Sequence, residues 1–341
     1  MGIKMQKQSR VRIIDIAQEL GLSTATVSNV IHGKTKKISD ETVKRVQELL
    51  EEKQYIPSMA GILLAQNDSR IIGVVVNDHE KYEGHALEDA FVASSLNHLS
   101  FEMEKAGYFM MVKVTKEWND IARFASMWNM EGLVIIGFCE QDYKKLRENM
   151  HIPFVVYDGY FEEPGRICNL IIDNYDGGYQ IGAYFRKLGH RKALCISDNA
   201  VCMDYERFQG FAAGMQEYGG DLMQVPMHKK ERRQFYQENL EGLKNYTAIF
   251  AVSDYYAVDL MQFLLEQGIR IPEDVSVAGF DDCALCQAIL PALTTVKQDG
   301  GQRAGLAIAM LKELKEGRSE GVTITLPVTL VKRQSTKEVK R

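Results

Sequence analysis

Ile13-Ile14-Asp15-Ile16-Ala17-Gln18-Glu19-Leu20-Gly21-Leu22-Ser23-Thr24-Ala25-Thr26-Val27-Ser28-Asn29-Val30-Ile31-His32-Gly33 carries a helix, a break and a second helix. Ile13, Ile16, Ala17 and Leu20 recur at helical spacing, and Gly21 ends the run where a left-handed turn residue is wanted. Ser23 is placed to cap a second helix over Thr24 to His32, whose apolar side is Val27, Val30 and Ile31. Ala17 lets the second helix cross close over the first, and Val27 fills the junction from the other side. A third helix starts near Ser39, carries Asp40 and Glu41 in its first turn and buries Val43, Val46, Leu49 and Leu50. The second helix then presents Thr24, Ala25, Ser28 and Asn29, short side chains suited to base edges in a major groove. Lys34, Lys36 and Lys37 follow it and are positioned to meet phosphates.

Charge supports a nucleic-acid partner for this head. Residues 1–60 hold ten basic against seven acidic side chains, a net of +3, whereas the whole chain of 341 residues carries −5. A small basic head on a large acidic body is the pattern of a nucleic-acid-binding segment attached to something that binds another partner. With 45% hydrophobic and 26% charged residues the composition is that of a globular protein of two or three units. Membrane spanning is not expected, because no apolar run reaches the roughly 18 residues required. The polar, basic stretch Met1 to Arg12 predicts no secretory signal, so a cytoplasmic address is expected.

From Ile71 onward apolar strand-like runs alternate with helical patterns: residues 71–76, 109–114, 133–136, 154–157, 193–197, 248–252 and 275–278. Such alternation predicts parallel sheets covered by helices, with enough chain for two lobes. Ligands of open α/β sheets bind beyond the carboxyl ends of strands, which singles out Asn77, Asp158, Ser253, Asp254, Asp281 and Asp282, with Arg207 and Gln298 nearby. Asp254 and Asp282 are read as turn or cap residues. Carboxylates, amides and an arginine around a cleft suit a polyhydroxylated small molecule, a sugar first. No P-loop, no dinucleotide-binding glycine motif after a strand, no HExxH and no G-x-S-x-G occurs, so no catalytic residue and no cofactor is expected. Six scattered cysteines read as reduced thiols. The pair Cys283 and Cys286 has redox or half-zinc spacing but no second CxxC or close His pair, so it reads as two small apolar side chains, and no metal is expected.

The head motif, together with Tyr55-Ile56-Pro57-Ser58, resembles the LacI/GalR family of bacterial transcription repressors. In the body the resemblance rests on Asp173-Asn174 with Gly177 and Gly182, Leu188-Gly189-His190-Arg191, Ile271-Pro272-Glu273-Asp274, Gly279-Phe280-Asp281-Asp282 and Pro291-Ala292-Leu293-Thr294-Thr295. It implies a three-helix helix-turn-helix DNA-binding domain at 10–57 and a hinge helix at 58–69. A two-lobed α/β effector and dimerisation domain of the type I periplasmic-binding-protein fold follows at 70–335, with crossovers between lobes near 172, 298 and 325. It further implies that Thr24, Ala25 and Asn29 read bases, and that Leu64 inserts between base steps when the hinge helices pair in the minor groove. Asp158, Arg207, Ser253, Asp281 and Gln298 match effector contacts of the family. Residues 77–88 look like an insertion of roughly eight residues, after which Phe91 and Val92 replace the family's aromatic pair. The expected partners are therefore double-stranded operator DNA, a carbohydrate-like effector and a second copy of the chain. The competing reading is a cytoplasmic sugar-binding protein or enzyme with an incidental basic head.

Overall fold

The computed structural model describes residues 11–56, 69–138, 150, 152–159, 167–318 and 321–339. The chain forms two compact units, Met1–Ser69 and Arg70–Arg341. Residues 57–68, with Leu64 and nearly all of the expected hinge helix, lie outside the described residues.

In the first unit α1 (Ile13–Leu20) ends at Gly21, whose φ of +66° is the left-handed turn that glycine accepts without strain. Helix α2 (Thr24–Ile31) begins at Ser23, whose hydroxyl accepts the Thr26 N–H at 3.1 Å. Helix α3 (Asp40–Glu52) is capped in the same way by Ser39 on Thr42. The core between them is Ile16, Ala17, Val27, Val30, Val46 and Leu49, while Val43 and Leu50 are only half-buried at its edge.

The second unit contains two six-stranded sheets, each with helices on both faces. The strands are β1 (Ile71–Asn77), β2 (Phe109–Thr115), β3 (Gly132–Ile136), β4 (Phe154–Tyr157), β5 (Cys168–Ile172), β6 (Ala193–Ser197), β7 (Asp221–Gln224), β8 (Ala248–Ala251), β9 (Ser276–Asp281), β10 (Thr294–Gln298), β11 (Thr323–Leu326) and β12 (Val328–Val331). The first sheet, ordered β11-β5-β4-β3-β1-β2, is parallel throughout. The second, ordered β12-β10-β9-β8-β6-β7, is parallel except for β12, which runs against β10. Period-two alternation divides β1 between two cores. Ile72, Val74 and Val76 pack with Leu99 and Met103 of α4 (Ala90–Lys105), and Ile71 and Val75 pack with Ile121 of α5 (Trp118–Met127).

The chain passes between the sheets at three places. Strand β5 leads into α6 (Asn174–Lys187) on the second sheet, β10 leads into α12 (Gly300–Lys315) on the first, and Pro327 joins β11 to β12. Between β6 and α12 the second sheet carries α7 (Cys202–Met215), α8 (Lys229–Glu238), α9 (Leu240–Leu243), α10 (Asp254–Glu266) and α11 (Leu285–Ala288).

Candidate functional site

In the first unit Thr24, Ala25 and Asn29 are exposed along α2, Ser28 is half-buried beside them, and Lys36 is exposed in the following loop. The buried Val27 and Val30 anchor the opposite side of α2, so this row is held outward by the core itself. Short polar and methyl side chains on a rigid helix, followed by lysines, are the equipment for reading base edges while touching phosphates.

In the second unit a cavity of about 230 Å³ lies among α4, the end of β4, the end of β9 and the crossing from β10 to α12. Of the sequence-selected residues, Phe91, Asp281, Asp282 and Gln298 line it, together with Tyr157, His98, Cys283 and Arg303. Gln298 donates its amide to Asp281 Oδ1 at 2.7 Å. Burial pushes the Asp281 carboxyl up to about 8, against the opposing pull of Arg207, so at neutral pH it is chiefly a protonated acid able to donate as well as accept. The Tyr157 hydroxyl is buried and has no hydrogen-bond partner among the described residues. Asp158, Asp281 and Asp282 have φ of +55°, +123° and +57°, a concentration of disfavoured backbone at strand ends that marks functional sites.

Asp158, Arg207, Ser253 and Asn77 are not among the cavity's lining residues. Asp158 instead pairs with Arg303 at 2.7 Å, both nearly buried. Arg207 donates to Asn174 Oδ1 at 2.8 Å and to the Val252 carbonyl at 2.6 Å, and stacks on Phe280 at 3.8 Å. Ser253 caps α10 by accepting the Tyr256 N–H, and Asn77 donates to the Gly137 carbonyl at 2.7 Å. The cap of α10 is thus Ser253 rather than Asp254. Asp254 is buried and accepts the Cys283 N–H, the Cys286 S–H and the Thr295 hydroxyl. Asp282 forms an ion pair with Arg333, not a cap.

Two residues escaped the sequence reading. Arg303 lies on the inner face of α12 among Ala304, Ala307 and Leu311, and a lone cation on an apolar stripe was the available signal. Lys81 sits in the 77–88 segment, which folds into two single-turn helices, Glu80–Tyr82 and Ala86–Glu88. Burial opposes the charge on Lys81, yet Tyr82, Asp89, Asp204 and Asp198 face it and hold its ammonium above the ordinary lysine range. Asp198 and Asp204 follow β6 of the second sheet, so this segment of the first lobe reaches across to the second. Glu83 strengthens the link with an ion pair to His228 at 3.3 Å.

Residues 12–58 match the profile of bacterial regulatory proteins of the lacI family, and residues 183–336 match the periplasmic binding protein-like domain. The HTH-type transcriptional repressor PurR of Vibrio atlanticus (strain LGP32) is 28% identical over 342 residues, spanning 95% of this chain and 98% of that one. The head is a lacI-family helix-turn-helix domain and the body a periplasmic-binding-protein-like domain. With these two parts it is a DNA-binding transcription regulator. PurR of Salmonella arizonae (strain ATCC BAA-731 / CDC346-86 / RSK2980) is also 28% identical, over 95% of this chain and 96% of its own. Among solved structures the lac repressor dimer bound to operator and the anti-inducer ONPF shares the fold with a TM-score of 0.82 at 22% identity, covering 96% of this chain and all of that one. A LacI family regulator from Enterococcus faecium with bound ribose gives a TM-score of 0.67 at 23% identity, over 79% of this chain and all of that one. No helix among the described residues is long and apolar enough to cross a membrane.

Proposed function

We propose that the protein is a cytoplasmic, homodimeric repressor, a regulator and not an enzyme, whose hold on a near-palindromic operator is set by a sugar-sized effector in the 230 Å³ cavity. The observation that carries this reading is the orphaned Tyr157 hydroxyl in the wall of the cavity that Asp281 and Gln298 also line, three groups that can each bond a ligand hydroxyl. The volume falls below the roughly 300–1,000 Å³ of drug-sized sites, which favours a monosaccharide. The ribose complex among the related folds points the same way, and the cellobiose complex points to the same carbohydrate class. Two heads match the two-fold symmetry of a palindrome, with Thr24, Ala25, Ser28 and Asn29 at bases, Lys36 at phosphate and Leu64 as the minor-groove wedge. Asp158, paired with the lining Arg303, and Arg207, whose charge reaches Asp281, support the cavity from behind. Control requires that the effector and the DNA favour different, or the same, arrangements of the two lobes, so that one binding changes the other.

The test is a titration of operator binding with ribose as first probe. Asp281→Ala and Gln298→Ala proteins should hold the operator as the parent does but need roughly five- to 150-fold more ligand, the consequence of leaving a buried ligand hydroxyl unpaired at a cost of about 1–3 kcal/mol. Selection from random DNA should return an altered consensus for Thr24 and Ala25 variants, whereas Lys36→Ala should weaken all sequences alike. Unchanged ligand midpoints in folded variants would discard the cavity as the sensor.

A further inference from the structure

The cavity wall contains a chemical group that neither DNA reading nor sugar binding uses. Cys283 lines the cavity, and its Sγ lies 3.7 Å from the Sγ of Cys286. Cys286 Sγ in turn donates to Asp254 Oδ2 at 2.9 Å, and the three groups are buried together. We propose that Cys283 and Cys286 are an oxidisable dithiol, which a two-electron oxidant of the hydrogen peroxide class entering the cavity converts to a disulfide.

Three features assemble this chemistry. The CxxC spacing brings the sulfurs to within 2 Å of the roughly 2.05 Å bond length, so closure needs only side-chain rotation and a small backbone shift. Cys283 is the accessible member and Cys286 the enclosed one, at 7% and 0% exposure, which fixes the order of reaction. Cys286 keeps the one S–H, directed to Asp254 or, once Cys283 is ionised, to the Cys283 sulfur, and this bond brings the Cys283 thiol down to about 7 and raises that of Cys286, so Cys283 supplies the thiolate that attacks. Asp254 is the proton acceptor for the second step. Burial pushes its carboxyl up to about 7, close to the working range of a proton shuttle.

The steps balance. The Cys283 thiol gives up its proton, and the thiolate attacks one peroxide oxygen. The O–O bond breaks, the leaving hydroxide takes up a proton as water, and Cys283 becomes a sulfenic acid. Cys286 then passes its proton to Asp254 and attacks the Cys283 sulfur. The S–O bond breaks, and the departing hydroxide takes the proton back from Asp254 as a second water. Two thiols are oxidised by two electrons and one peroxide is reduced to two waters. A metal is the rival occupant of three such ligands. It is disfavoured because both Asp254 oxygens already accept N–H, S–H and O–H bonds that a cation would displace.

The experiment exposes the reduced, full-length protein to stoichiometric hydrogen peroxide, unfolds it in an alkylating agent and maps the cysteines by mass spectrometry. The peptide holding Cys283 and Cys286 should escape alkylation and weigh two hydrogens less, and dithiothreitol should restore it, while the buried Cys168 and Cys195 remain alkylated. Cys286→Ser should stop at a sulfenic acid on Cys283 that dimedone captures, and Cys283→Ser should leave that peptide unoxidised. Alkylation of both cysteines in the treated parent, or oxidation confined to the exposed Cys202, would overturn the proposal. Stoichiometric zinc in the purified protein that blocks oxidation until chelated would equally overturn it and assign the three groups to a metal.

Discussion

Asp281 concentrates the physical tension of the effector domain in one side chain. Its folded carboxyl titrates near 8 against an ordinary value of 3.8, so between those values the folded protein binds a proton that the unfolded chain has released. The stability this group contributes is complete below 3.8 and is lost as pH rises through about 8. Asp281→Asn keeps the shape and removes the titration. Its unfolding free energy, measured by urea denaturation from pH 4 to 8, should therefore fall less steeply with pH than that of the parent, and parallel curves would contradict the protonated assignment. Arg303 shows the reverse arrangement, a permanent cation enclosed with the Asp158 carboxylate and stacked at 4.1 Å on Tyr157. It thereby fixes the Tyr157 ring in the cavity wall.

Elements α6 and α7 explain how the second lobe is built around Arg207. Gly178 and Gly182 on one helix meet Gly210 and Gly214 on the other, and a methyl at Gly178 would fall on the Arg207 carbonyl. Gly178→Ala should therefore push the helices apart and cost about 1–3 kcal/mol as an overpacked contact, read as a lower urea midpoint. The same substitution at Gly242, where a Cβ meets nothing, should be tolerated. The sequence displayed much of this scale: helices α1 to α3, the serine caps of α2 and α3 and strands β1 to β4, β6 and β8 appear within a residue or two, because their apolar spacing is unbroken. Strands β5, β7, β10, β11 and β12 did not stand out; of these, Asp221-Leu222-Met223-Gln224 and Thr323-Ile324-Thr325-Leu326 are short edges with one wet face. At the site, strand-end position revealed Asp281 and Gln298, whereas the pairing of Asp158 with a helix residue far along the chain is a tertiary fact with no local signature. The role of 77–88 as a bridge to Asp198 and His228 was hidden for the same reason.

For the whole molecule, the division into two units predicts two unfolding events. Among the described residues six buried apolar side chains form the core of the first unit, far fewer than in the second, so it should melt at the lower temperature in calorimetry. An effector at 100 times its dissociation constant should stabilise the second transition by about 2.7 kcal/mol and leave the first in place. A single transition that moves as one would show that the units do not fold separately. The three chain crossings set how the second unit itself can deform. Three stitches between two plates permit a swing about the line through them far more readily than sliding or twisting, each of which would stretch a peptide chain. Gln298 stands at the middle stitch, so a ligand there sits close to the axle and works with a short lever. Small displacements at the axle become large ones at the rims, the gearing by which a molecule the size of a sugar can move a far larger partner.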